Sequence, residues 1–183
     1  MLFIVLIAAV IFCIIVLFSF PRFSPIPYFP SNKKDLKHIV NGLKLQNNQT
    51  VIDLGAGDGI VIFEAAKESL KKKLSTKFVA VEINPVLLCI LFMRRLFNPN
   101  RNNIQITYGD MFTMNFNSLT HEPVNSLTFY LYISPWHIEK TVSNIKRQYK
   151  RFSIVSYMYP VKSLLKKEKK TEGNKHTVYM YNI

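Results

Sequence analysis

A chain of 183 residues and 21.3 kDa holds one domain of ordinary size plus an appendage, and leaves no room for a second folded unit. Two cysteines, Cys13 and Cys89, exclude both a disulfide-stapled secreted scaffold and a cysteine-rich zinc domain. The formal charge is +13; residues 1–31 carry only Arg22, so the remaining 23 basic and 11 acidic side chains keep +12 in the folded part.

Residues 1–20 carry no charged side chain and one polar one, Ser19. As a helix they would span about 30 Å, the thickness of a hydrocarbon core. No Lys or Arg precedes the run, and Ser19-Phe20-Pro21-Arg22 offers no small-residue cleavage site, so an uncleaved single-pass anchor is expected rather than a signal peptide. Arg22, Lys33, Lys34 and Lys37 follow it, which places the rest of the chain on the cytoplasmic side, or the matrix side in a mitochondrion. Pro21, Pro25, Pro27 and Pro30 make residues 21–31 an extended linker, and residues 32–183 form the domain.

An amphipathic helix is expected over residues 32–45, with Leu36, Ile39, Val40 and Leu43 on one face. Strands over 50–54, 78–82 and 104–108 then alternate with helices over 59–70 and 85–97. Further on come a strand over 126–132, a helix over 135–149, and strands over 152–158 and 177–181. Such alternation predicts an α/β fold with a mostly parallel sheet and helices on both faces.

The strongest motif is Asp53-Leu54-Gly55-Ala56-Gly57-Asp58-Gly59, where a strand runs into a glycine-rich turn and then a helix. A dinucleotide fingerprint would want glycine at position 60, which is Ile60. The pattern instead resembles the cofactor-binding turn of Rossmann-like S-adenosylmethionine-dependent methyltransferases. The next strand ends in Glu82, 23 residues after Gly59, where an acid can accept both ribose hydroxyls. The third ends in Tyr108-Gly109-Asp110, where an acid can accept from an adenine amino group. Each also has a plainer reading: Gly109-Asp110 as a turn, Glu82 as a solvated strand end, Asn84-Pro85 as a helix start. Asp53 sits on an otherwise apolar strand, and a buried carboxylate is costly unless paired.

Pro27-Tyr28-Phe29-Pro30-Ser31 after the apolar run, the glycine turn, Val81-Glu82-Ile83-Asn84-Pro85 and the closing Val178-Tyr179-Met180-Tyr181 occur in a particular order. Together they resemble the small membrane-anchored protein lysine methyltransferases that modify the ATP synthase c-ring or the adenine nucleotide translocator, and their prokaryotic relatives. The resemblance implies that Asp53, Gly55, Gly57, Asp58, Gly59, Glu82 and Asp110 hold S-adenosylmethionine, with Asp53 facing its ammonium group. It also implies that Tyr28 lies over the cofactor. Ser134-Pro135-Trp136-His137 departs from the family's loop, and Ser134-Pro135 reads equally as a helix start; Tyr132, Pro135 and Trp136 are candidates for positioning substrate.

Methyl transfer is an in-line displacement in which orientation does most of the work. A lysine substrate must first lose its proton, which burial beside a sulfonium favours, and Tyr28, Tyr130 or Trp136 could guide the amine. His38, His121, His137 and His176 lack ligand spacing, so no metal is expected. The densest basic patch is Lys162, Lys166, Lys167, Lys169, Lys170 and Lys175. It reads either as a solvated loop or as a surface for anionic lipid, and beside an anchor nucleic acid is not the expected partner. The expected function is methylation of a lysine on a membrane or membrane-adjacent protein. The alternatives are a lipid, quinone or other small-molecule methyltransferase, and a non-catalytic cofactor-binding scaffold.

Overall fold

A computed structural model describes residues 1–20, 26–120 and 126–183. Residues 21–25 of the expected linker and His121 lie outside the described residues. Seven strands form one sheet: β1 (Gln49–Leu54), β2 (Lys77–Glu82), β3 (Ile104–Tyr108), β4 (Ser126–Leu131), β5 (Ser153–Tyr157), β6 (Glu168–Glu172) and β7 (Thr177–Asn182). Their order is β3-β2-β1-β4-β5-β7-β6. The first five are parallel, and β7 runs antiparallel to both β5 and β6. All six residues of β1 are buried, as a central strand covered on both faces requires.

The helices are α1 (Leu2–Ser19), α2 (Leu36–Gly42), α3 (Ile60–Lys71), α4 (Pro85–Leu96) and α5 (Pro135–Gln148). On one face α2, α3 and α4 press Ile39, Leu43, Ile62 and Leu91 onto Val51, Phe78 and Ala80. On the other, α5 and a 3-10 turn at Phe116–Leu119 press Ile138, Val142 and Phe116 onto Ile52, Val79 and Phe129. The side-chain carbonyl of Asn84 accepts from Val86 N at 2.9 Å and Leu87 N at 3.3 Å, with Pro85 opening α4. Both halves of the helix-start reading are present. At α5, Ser134 holds the cap position but its side chain makes no capping bond.

Two elements depart from expectation. The helix expected over residues 32–45 contracts to a 3-10 turn, Lys33–Asp35, and the seven residues of α2. Lys44 at φ 48° turns the chain out of the helix towards β1. The lysine-rich segment is not a loop: Lys162–Lys167 is a 3-10 helix, and the residues after it form β6 on the sheet edge. Glu-Lys-Lys-Thr-Glu has no apolar residue to show a strand period, and exposed lysines suit an edge that must not pair with another chain. β6 also lies six strand spacings from β3, about 29 Å. The basic patch and the α3–α4 end of the sheet are therefore far apart.

Asp35, fully buried, ties the chain's start to its end. Its carboxylate accepts from Tyr157 Oη at 2.7 Å, Lys175 N at 2.9 Å and His176 N at 3.0 Å. Burial pulls this carboxyl up, but the Tyr157 hydroxyl and the backbone donors of residues 174–176 outweigh it and hold the group below 3.8. Asp35→Ala would leave the buried Tyr157 hydroxyl and the part-buried amides of Lys175 and His176 without their acceptor, and we expect a loss of about 1–3 kcal/mol, read as a lower urea midpoint. Because the folded value lies below the unfolded one, the ionised carboxylate's contribution is present above about pH 3.8 and is lost as pH falls through the folded value. The difference between parent and variant should shrink in acid.

Among the described residues no helix is long and apolar enough to cross a membrane. α1 has 18 residues, about 27 Å, against the expected 20, and the side chain of Leu2 is outside the description. The helix observed is not by itself a membrane crossing. Every side chain over residues 3–16 is exposed, and its far end rests on α4, where Asn84 Nδ2 donates to Leu17 O at 3.3 Å.

Candidate active site

A cavity opens at the C-terminal edge of β1, β2 and β4, closed above by residues 26–31. After β1 the chain turns back onto β2: Gly55 N and Ala56 N both donate to Val81 O, at 3.0 and 2.9 Å. The turn needs left-handed backbone at Gly57, φ +58°, and Gly59, φ +73°. The two glycines do different work. A Cβ at Gly59 would lie 2.5 Å from Leu91 and 2.6 Å from Phe63, so that residue lets α3 pack on α4. A Cβ at Gly57 would lie 2.7 Å from the Tyr28 ring, so Tyr28 covers bare backbone at the cavity wall.

Glu82, 6% exposed, is held by three backbone donors: Gly57 N at 2.7 Å on one oxygen, Ile83 N at 2.8 Å and Asn84 N at 2.9 Å on the other. It thus clamps the glycine turn to the end of β2. Asp53, 3% exposed, also lines the cavity, yet among the described residues no donor reaches its carboxylate. Burial, with the neighbouring Glu82 and Asp58 charges, drives this carboxyl well above 3.8. Beside it in the ladder stands Tyr130, whose hydroxyl shares a 2.8 Å hydrogen bond with Ser31 Oγ. Burial, then the Asp53 charge, raises that phenol well above 10.0. Burial and then Asp58 push Tyr28 up to about 12, so at neutral pH neither phenol is an anion.

The other predicted residues divide. Gly55, Gly57, Asp58, Tyr28 and Tyr132 line the cavity with Asp53 and Glu82. Asp58 is engaged locally, however, accepting from Ile60 N at 3.1 Å and paired with Arg94. Asp110 does not line the cavity; its oxygens accept from Phe112 N at 2.9 Å and Thr113 Oγ1 at 3.1 Å, which forms the turn after β3. Pro135 and Trp136 are outside the wall as well, and Trp136 is 81% exposed. Among the described residues no three His, Cys, Asp or Glu side chains converge as metal ligands. Sequence reading missed the Ser31–Tyr130 bond and the cavity positions of Asn84 and Met111. Of these, only Asn84 carried a signal, and that signal described a helix cap.

This sheet order, with its reversed β7, and a glycine turn between a buried acid and a clamped one define a Rossmann-like methyltransferase. A model of the ribosomal RNA adenine dimethylase family matches residues 27–178. The chain belongs to that family of S-adenosylmethionine-dependent methyltransferases. A protein-lysine N-methyltransferase of Saccharolobus islandicus (strain REY15A) is 29% identical over 165 residues, covering 86% of this chain and 94% of the relative. In fold the chain is similar to an RNA methyltransferase from Salinibacter ruber, solved with S-adenosyl-L-homocysteine, at TM-score 0.69 and 19% identity over 85% of this chain and 94% of that one. It is also similar to a precorrin-6y C5,15-methyltransferase from Geobacter metallireducens, at TM-score 0.57 and 16% identity over 85% and 93%.

Proposed function

We propose that this chain methylates a lysine side chain of a protein in or at a membrane. The cavity's own residues fit the cofactor. Asp53 is a buried carboxylate that no donor among the described residues reaches, as a site for an ammonium group requires. Gly57 is bare backbone under the Tyr28 ring, and Glu82 would accept from hydroxyls on the same wall. S-adenosylmethionine, when bound, supplies an electrophilic methyl group on a sulfonium. Among the predicted cofactor residues, Asp53, Gly55, Gly57 and Glu82 are assigned to hold it; Asp58, Gly59 and Asp110 act through the turns they build.

One observation carries the lysine reading. The chain leaving β4 presents Tyr132, Ile133, Ser134 and Pro135, and none of these four residues carries a carboxylate or carboxamide side chain. The amino group of a nucleobase has a delocalised lone pair and needs such an acceptor to sharpen it. A lysine amine carries its own lone pair and needs only to lose its proton in a dry place. Tyr28, Tyr130 and Tyr132 supply that place, with rings that attract an ammonium and hydroxyls that stay neutral. Desolvation there lowers the amine's pKa from about 10.4, so the rate should rise with pH until the amine is neutral. The Saccharolobus relative's name supports the same substrate class.

The membrane half of the proposal rests on α1, whose exposed apolar wall has no use in water. It acts as the anchor, with Lys33, Lys34 and Lys37 keeping the domain on the cytoplasmic or matrix side. Incubating membranes with the chain and methyl-labelled cofactor should put label in protease-sensitive material. Label extracted with lipid into organic solvent, or removed by ribonuclease, would overturn the lysine assignment.

A further inference from the structure

α4 has a face that the fold leaves uncovered. Leu87 and Leu91 are buried against α3 and the sheet, but Cys89, Phe92, Met93, Leu96 and Phe97 are exposed, Phe97 to 87%. Their spacing is i, i+3, i+4, i+7, i+8, a continuous stripe along one side of a helix. Single exposed apolar residues need no explanation, but a row of five does. Tyr108, 63% exposed, follows Ile104 and Ile106 on the strand face that α4 covers, and extends the surface.

Within residues 83–109 the charge has one sign: Arg94, Arg95 and Arg101 and no acid. Arg94 is paired with Asp58, whereas among the described residues Arg95 and Arg101 donate to the carbonyls of Arg101 and Leu96. A second copy docked here face to face would bring Arg95 and Arg101 of the two copies together. An anionic lipid surface meets both the cations and the apolar row. α1 rests on the start of this same helix, where Asn84 Nδ2 donates to Leu17 O.

We infer that α4 is a second membrane-binding element: it lies in the interface of an anionic bilayer with the stripe of Cys89, Phe92, Met93, Leu96 and Phe97 immersed and Arg95 and Arg101 at headgroup level. This rests on the proposal that α1 enters the bilayer, and it adds an orientation. The sheet's α3–α4 end faces the lipid, and the lysines of β6, at the opposite edge, face away from it. Substrate segments would then be drawn from the membrane surface beside the mouth of the cavity, which Asn84 and Leu87 of this same region line.

The two cysteines separate the two elements, one in α1 and one in the stripe, and both are exposed. Full-length chain, reconstituted into phosphatidylcholine vesicles with and without phosphatidylserine, would carry an environment-sensitive fluorophore on Cys89 in a Cys13→Ser background, or on Cys13 in a Cys89→Ser background. Both labels should shift to the blue and brighten several-fold. The Cys89 label should be quenched by lipids brominated near the headgroup, and more strongly with phosphatidylserine; the Cys13 label should be quenched deeper. Phe92→Asp with Phe97→Asp, two exposed positions, should return the Cys89 label to aqueous emission while the Cys13 label stays buried. A buried Cys13 label with an aqueous Cys89 label overturns this inference and leaves the anchor standing, whereas two aqueous labels remove both. Burial of Cys89 that vanishes as protein is diluted into more lipid would identify a second copy as the occupant and overturn the lipid assignment.

Discussion

Asp53→Asn is expected to make the folded chain more stable and to cost it its cofactor. The Asp53 carboxylate is buried near the end of β1 with no hydrogen-bond donor among the described residues, and burial and the nearby Glu82 and Asp58 charges drive its pKa well above 3.8. In the free protein this is a liability. As pH rises above about 3.8 the unfolded chain releases the proton first, so stability falls until the folded carboxyl also ionises. Asparagine, which never ionises, removes that fall. The urea midpoint of the variant should therefore exceed the parent's by an amount that widens as pH rises out of the carboxylate range. Cofactor affinity should move the other way. Losing a charge-assisted contact of about 1.5–3 kcal/mol weakens binding roughly 10- to 150-fold by calorimetry. A midpoint difference that is flat with pH, or unchanged affinity, would remove Asp53 from the site.

Glu82→Gln should be more damaging to binding, and without a gain in stability. The carboxylate's two oxygens between them accept from Gly57, Ile83 and Asn84. A glutamine has one acceptor oxygen and must aim its NH₂ at one of these donor sets. Either the glycine turn loses its clamp or the start of α4 does. The cavity wall and the acceptor for the ribose hydroxyls would fail together, and we expect affinity to fall by at least about 100-fold, near 3 kcal/mol. Stability should drop by about 1–3 kcal/mol. Retained binding in Glu82→Gln would show that the clamp, though present, does not hold the cofactor.

Much of this was legible in the sequence because it rests on strong local rules. β1 is a buried run ending in glycines, and α4 announces itself through Asn84 and Pro85. What escaped falls into three physical kinds. β6 carries no hydrophobic period because one side of an edge strand is solvent and its lysines serve to block further pairing. The Asp35 network joins residues 122 apart in sequence through one carboxylate, and no local pattern encodes such a contact. Asp58 and Asp110 make local bonds that residue type does not announce, Asp58 with Ile60 N and Arg94 and Asp110 within its own turn. Residue type and position marked the crevice, but not which neighbouring donors each acid also meets. Trp136 shows the same limit, being next to β4's loop in sequence yet directed to solvent.

The cavity is proposed to take a lysine because Tyr28, Tyr130 and Tyr132 line it and residues 132–135 after β4 bring no carboxylate or carboxamide. Mass spectrometry of membrane proteins from cells with and without the chain tests it most directly, alongside nucleoside analysis of ribosomal RNA from the same cells. We expect a membrane-associated protein with one lysine heavier by whole methyl groups only when the chain is present, and no change in adenine methylation. Unmodified lysines together with chain-dependent methyladenine in the RNA would contradict it.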